Sequence, residues 1–129
     1  MTEKSVITPY ELMGGEATIL SLVDRFYFYM DSLPETQGIR KIHANSLAGA
    51  KEKLFKFLSG WLGGPDLYIQ EFGHPMLRRR HLRFAIAQSE SDQWMTCMNK
   101  AMAELEVDEA LKTALLESLE QLANHMINQ

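Results

Sequence analysis

Apolar positions recur at three- and four-residue spacing along almost the whole chain, and no alternating run reads as a strand. Thr8 followed by Pro9 marks a helix start, with Pro at the first helical position. Gly14-Gly15 cuts that helix short. A second helix is predicted from about Glu16 to Leu33, with Ile19, Leu22, Val23, Phe26, Tyr27, Met30 and Leu33 on its apolar face and Pro34 as its break. A short helical piece follows over 35–42. Ser46 is expected to cap the next helix, which carries Leu47, Ala50, Leu54, Phe57, Leu58 and Trp61 and stops at Gly63-Gly64-Pro65. Residues 66–73 read as loop or a short helical turn, and Pro75 is expected to open a brief helix through Phe84. A long helix over 91–106 aligns Trp94, Met98, Ala101, Met102 and Leu105. Asp108 caps the last, with Leu111, Leu115, Leu119, Leu122 and Met126. The predicted fold class is all-α: four long helices with short pieces between them.

The 129 residues suit a single domain spanning 1–129, and no repeat or linker divides them. Apolar residues at 46% and charged residues at 23% argue for a packed core and against disorder. A single cysteine, Cys97, excludes an internal disulfide or a multi-cysteine zinc site and is read as core. Met1-Thr2-Glu3-Lys4 leads into no apolar run, so no signal peptide is expected, and no stretch suits a membrane helix. A cytoplasmic protein without a membrane partner is the expectation. The net charge of −4 is uneven: four of the six arginines fall within 78–83, while 90–129 is strongly acidic. A basic cluster in an acidic protein points to a local anionic partner rather than a long polyanion.

Few residues invite chemistry. His81 shares an apolar stripe with Leu77 and Phe84. It reads either as a core histidine satisfied by backbone groups or as a metal or haem ligand, because an imidazole held by a carbonyl through one nitrogen suits haem iron through the other. Arg78, Arg79, Arg80 and Arg83 flank it. They form either a solvated face or the cationic rim of a pocket for an apolar disc bearing carboxylates, with Arg78 and His74 the choices on that second reading. Tyr27 and Trp94 lie on apolar faces and are either core aromatics or hydrogen-bond donors to a bound ligand. Met98 and Met102 are expected in an irregular interior, or against a cofactor face. By itself His43 is an ordinary loop histidine, and His125 reads as surface. There is no phosphate-binding glycine loop, nucleophile elbow or HExxH motif.

Taken together, these residues resemble the group II truncated haemoglobins over nearly the whole chain. The signature is Phe57-Leu58-Ser59-Gly60-Trp61-Leu62-Gly63-Gly64-Pro65, then Leu67-Tyr68, Gly73-His74-Pro75, Leu77-Arg78, Arg80-His81 and Phe84. Arg25-Phe26-Tyr27, Leu47-Ala48-Gly49-Ala50, and Trp94 with Cys97-Met98 add to it. The resemblance implies a two-over-two helical sandwich around haem b. By motif position His81 matches the proximal ligand, Tyr27 the distal tyrosine and Trp94 the tryptophan that donates to the bound ligand. His43 falls at a distal polar position that is tyrosine, histidine or phenylalanine in the family. Ala50 takes the distal place that is histidine in larger globins, and Leu54 packs over the distal face. Lys53, Tyr68, His74 and Arg78 match positions near the propionates, while Phe57, Leu77, Phe84 and Met98 complete the expected cofactor contacts. Phe28-Tyr29-Met30 is bulkier than the family pattern, with Tyr29 expected at the surface or an interface.

The function so implied is tight binding of O₂, with CO and NO as related ligands, three potential donors slowing release. An alternative is nitric oxide dioxygenation or peroxidase-like chemistry fed by a separate reductase, since the chain has no flavin or nicotinamide motif. A haem-free helical module binding nucleic acid through Arg78–Arg83 is disfavoured by the net negative charge and by the apolar setting of His81.

Overall fold

The computed structural model describes residues 7–129, so the expectation about Met1–Lys4 lies outside the described residues. Eight α-helices follow in order among them: α1 Pro9–Met13, α2 Glu16–Ser32, α3 Gln37–Lys41, α4 Ala48–Trp61, α5 Leu67–Phe72, α6 Leu77–His81, α7 Gln88–Ala103 and α8 Glu109–His125. A 3₁₀ turn at Pro34–Thr36 joins α2 to α3. No strand occurs among the described residues, and no helix is long and apolar enough to cross a membrane.

Local chemistry explains most boundaries. Thr8 caps α1 in a capping box with Glu11, each side chain taking the other residue's backbone N–H. Thr36 closes α2 by donating its hydroxyl to the carbonyls of Met30 (3.0 Å) and Leu33 (3.1 Å), which is why a threonine is fully buried there. Asp108 accepts from Leu111 N at the start of α8.

Three boundaries differ from expectation. Leu47, not Ser46, is the N-cap residue of α4, although the Ser46 hydroxyl still accepts from Ala48 N at 3.3 Å. Met76 adopts a left-handed conformation (φ 42°), so α6 starts at Leu77 and closes at His81 instead of running from Pro75 to Phe84. α7 begins at Gln88, three residues early, because the Glu90 carboxylate accepts from Ala87 N at 2.7 Å.

α2 is the central helix. It packs against α7 and α4, and α7 packs against α8, giving two pairs of long helices that share one core. Ile19, Leu22, Phe26 and Met30 of α2 interlock with Met98 and Met102 of α7 and Leu119 of α8, all essentially without exposure. α3 is fastened to α7 where Gln93 Oε1 accepts from Ile39 N at 2.8 Å. The apolar face of α4 behaves differently: only Leu58 and the small Ser59 are buried, while Ala50, Leu54 and Phe57 stay partly exposed. That face looks onto a cavity.

Candidate functional site

The cavity has a volume of about 1150 Å³, above the ~300–1,000 Å³ of ordinary ligand pockets. Its apolar walls include Ile42, Leu54, Phe57, Leu77, Phe84 and Ile86. Into it converge Tyr27 from α2, His43 just after α3, Ala50 and Lys53 from α4, Tyr68 from α5, His81 from α6 and Trp94 from α7.

The half-buried ring of His81 is oriented by its own helix. Nδ1 lies 2.6 Å from the Leu77 carbonyl oxygen. A carbonyl only accepts, so Nδ1 carries the hydrogen, and in the neutral ring Nε2 keeps a lone pair. A coordinating histidine needs this tautomer.

His43 is set up in the same way. Its Nδ1 lies 3.0 Å from the Ile39 carbonyl oxygen, so Nδ1 donates and Nε2 is an acceptor in the neutral ring. Burial lowers its pKa, Arg40 and His81 adding to the effect, although the bond to Ile39 opposes it. The neutral form is therefore favoured, and His43 is not the third donor that a reading of residue types counts.

Tyr27 is a donor. Its ring is buried, edge-on to Phe26 (4.8 Å between centroids) and to His43 (5.9 Å). Burial, with a smaller contribution from Cys97, pushes the phenol pKa well above its ordinary value, so the hydroxyl keeps its proton. Its contact with the Ala50 carbonyl is long at 3.5 Å, which leaves the proton available to a better acceptor. The Trp94 indole, edge-on to Phe26 at 5.0 Å, has no acceptor for its N–H among the described residues. Tyr29 points away: its hydroxyl donates to Glu104, which also pairs with Arg25 at 3.2 Å, clasping α2 to the end of α7.

The charged rim differs from the sequence reading. Lys53, Arg79, Arg80 and Arg83 border the cavity, whereas Arg78, His74 and Met98 do not. Arg78 reaches the Ile127 carbonyl at 3.3 Å, exposed His74 accepts from Met76 N through Nδ1 at 3.2 Å, and Met98 is buried in the core. Arg80 is braced by the carbonyls of Phe72 (3.0 Å) and His74 (3.1 Å) and lies over the Tyr68 ring. Arg83 lies over Phe84. No ion pair among the described residues uses these four cations. Among the described residues the one carboxylate on the wall, Glu90, is taken up in capping α7. A large apolar slot with a free imidazole nitrogen and an uncompensated cationic edge fits haem, whose faces are apolar and whose propionates are anionic.

Asn128 is a residue that reading the sequence missed. Its Nδ2 donates to the carbonyls of Phe84 (2.9 Å) and His81 (3.3 Å), while its Oδ1 accepts from Ile86 N (3.0 Å). The segment after α8 thus holds the turn that follows His81. An asparagine 47 residues from its partner leaves no local signal in sequence.

The sequence matches the bacterial-like globin family over residues 8–128. It is 40% identical over 126 residues to the group 2 truncated haemoglobin YjbI of Bacillus subtilis, covering 98% of this chain and 92% of that one. The fold is similar to the cold-adapted truncated haemoglobin of the Antarctic bacterium Pseudoalteromonas haloplanktis TAC125 (TM-score 0.92, 47% identity, 95% and 98% coverage). It is equally similar to the group II 2-on-2 haemoglobin of Agrobacterium tumefaciens (TM-score 0.93, 44% identity, 100% and 99% coverage).

Proposed function

The chain belongs to the bacterial-like globins, among the group II truncated haemoglobins, and from that premise we propose that it holds haem b on His81 and binds O₂ beneath Tyr27 and Trp94. Family membership itself implies haem-based oxygen binding. The observation carrying the finer reading is the His81 ring, whose Nδ1–H is tied to Leu77 and whose Nε2 is left to coordinate within the cavity.

When bound, the haem supplies an iron centre for diatomic ligands. The protein's own residues set how such a ligand is held. His81 would hold the iron through Nε2, and the Leu77 carbonyl raises the basicity of its ring. Apolar walls exclude water and strengthen any hydrogen bond formed inside. Tyr27 and Trp94 line the cavity and would offer hydrogen-bond donors to a bound ligand carrying partial negative charge. Lys53, Arg79, Arg80 and Arg83 receive the propionates in place of the Arg78 and His74 expected from the motif.

Absorption spectra of the purified protein in ferric, reduced and CO-bound forms, beside His81→Ala, test this reading. An intense haem band that shifts with CO, is lost in the variant and is recovered when imidazole is added is the expected result. A variant with the wild-type spectrum would remove His81 from the iron, and no haem band after reconstitution would overturn the reading altogether.

A further inference from the structure

The ring of His43 offers the cavity a lone pair where a hydrogen-bond donor was anticipated. We propose that His43 is a proton acceptor for weak-acid ligands, HX, that bind in this cavity as X⁻; hydrogen peroxide, hydrogen sulfide and hydrogen cyanide belong to this class. The proposal rests on the haem reading above.

The geometry sets up the transfer. Nδ1 is committed to the Ile39 carbonyl at 3.0 Å, so the neutral ring has one basic site, Nε2, and His43 lines the cavity. Tyr27, whose ring meets that of His43 edge-on at 5.9 Å, keeps its proton and donates. A ligand between them meets a donor and an acceptor together. The H–X bond breaks heterolytically: the proton goes to Nε2, and the electron pair stays on X, for which ferric haem iron would be the acceptor. No electron is transferred and no further reactant is needed.

Its neighbours keep the proton from staying. Arg40, on the same segment as His43, is held by Asp31 at 2.9 Å and disfavours a charged His43. Lys53 from α4 and Arg79, Arg80 and Arg83 around α6 add positive charge to the wall, and Glu90 on α7 is engaged at Ala87 N. The half-buried ring passes the proton on to solvent. General-base help of this kind is worth about 10²-fold or more in rate.

Cyanide is the probe, because it is almost wholly HCN at neutral pH. Its association with the ferric holoprotein is to be followed by stopped flow from pH 5 to 8 in wild type, His43→Phe and His43→Gln. Wild type is expected to be about 10²-fold faster than either variant at pH 7. Burial places the pKa of His43 below its ordinary value, so that advantage is full at pH 7 and is lost as pH falls through the lowered pKa. Carbon monoxide, which delivers no proton, should bind each of the three ferrous forms at a rate that does not fall with pH over this range. In the CO-bound protein, ring-nitrogen NMR of His43 should show hydrogen on Nδ1. Glutamine matching wild type would reduce the role to polarity and overturn the proposal. So would a wild-type advantage independent of pH, or hydrogen on Nε2. Absence of any haem spectrum would instead sink the haem reading on which it rests.

Discussion

At the residue scale the site works through which atoms still have a proton to give. Tyr27 keeps its proton because its buried ring disfavours the phenolate, and its one acceptor among the described residues is distant at 3.5 Å. Replacing Tyr27 with Phe removes a donor without removing the ring that packs on Phe26. O₂ release, followed by stopped-flow displacement with CO, should therefore quicken about tenfold, the value of one hydrogen bond in a dry site. An unchanged rate would leave Trp94 as the operative donor. Tyr27 and Trp94 were legible in sequence because each interrupts an apolar helical face with a group that needs a partner. The acceptor character of His43 was not, because it depends on a carbonyl four residues back that only the closed turn presents. Cys97 was legible as core: burial pushes its thiol up to about 11, and it carries no chemistry here.

At the scale of elements, short turns fix how the helices meet. Gly64, after α4, faces the Tyr10 ring of α1 so closely that a Cβ there would lie 2.3 Å from it, while Tyr10 N donates to the Leu62 carbonyl at 2.9 Å. The glycine is needed for this close approach of the Tyr10 ring to the backbone at Gly64. Gly64→Ala should displace α1 and destabilise the fold by ~1–3 kcal/mol, read from urea unfolding of the reconstituted protein. A change within the measurement error would mean that Tyr10 swings aside freely. The sequence announced the turn through Gly63-Gly64-Pro65, and the long helices through their periodicity. It hid the start of α6, because Pro75 signals a helix start while Met76 goes left-handed. The rim was hidden too: Arg79, Arg80 and Arg83 border the cavity, while Arg78 reaches the Ile127 carbonyl near the end of the chain.

On the scale of the whole molecule, the two sides of the cavity are built unequally. Tyr27, His43 and Trp94 stand on or beside helices that share the core, with Phe26, Met98 and Met102 fully packed behind them. His81 stands on a five-residue helix with no buried side chain. A helix that short has little stability of its own. Among the described residues, α6 and the turn after it are tied to the distant C-terminal segment by Asn128 and by Arg78 on the Ile127 carbonyl. A ligand bridging His81 to the packed side would therefore complete the fold as well as the site, and its binding energy would add to stability by linkage. Hydrogen exchange of the apoprotein should be fast over residues 73–85 while α2 and α7 stay protected, and haem should slow exchange in that segment selectively. Asn128→Ala should make the segment exchange faster in both forms and speed haem loss to an apomyoglobin acceptor. Equal protection of α6 and α7 without haem would show instead that the proximal side is preformed, and that the Asn128 bonds are incidental to holding the iron ligand.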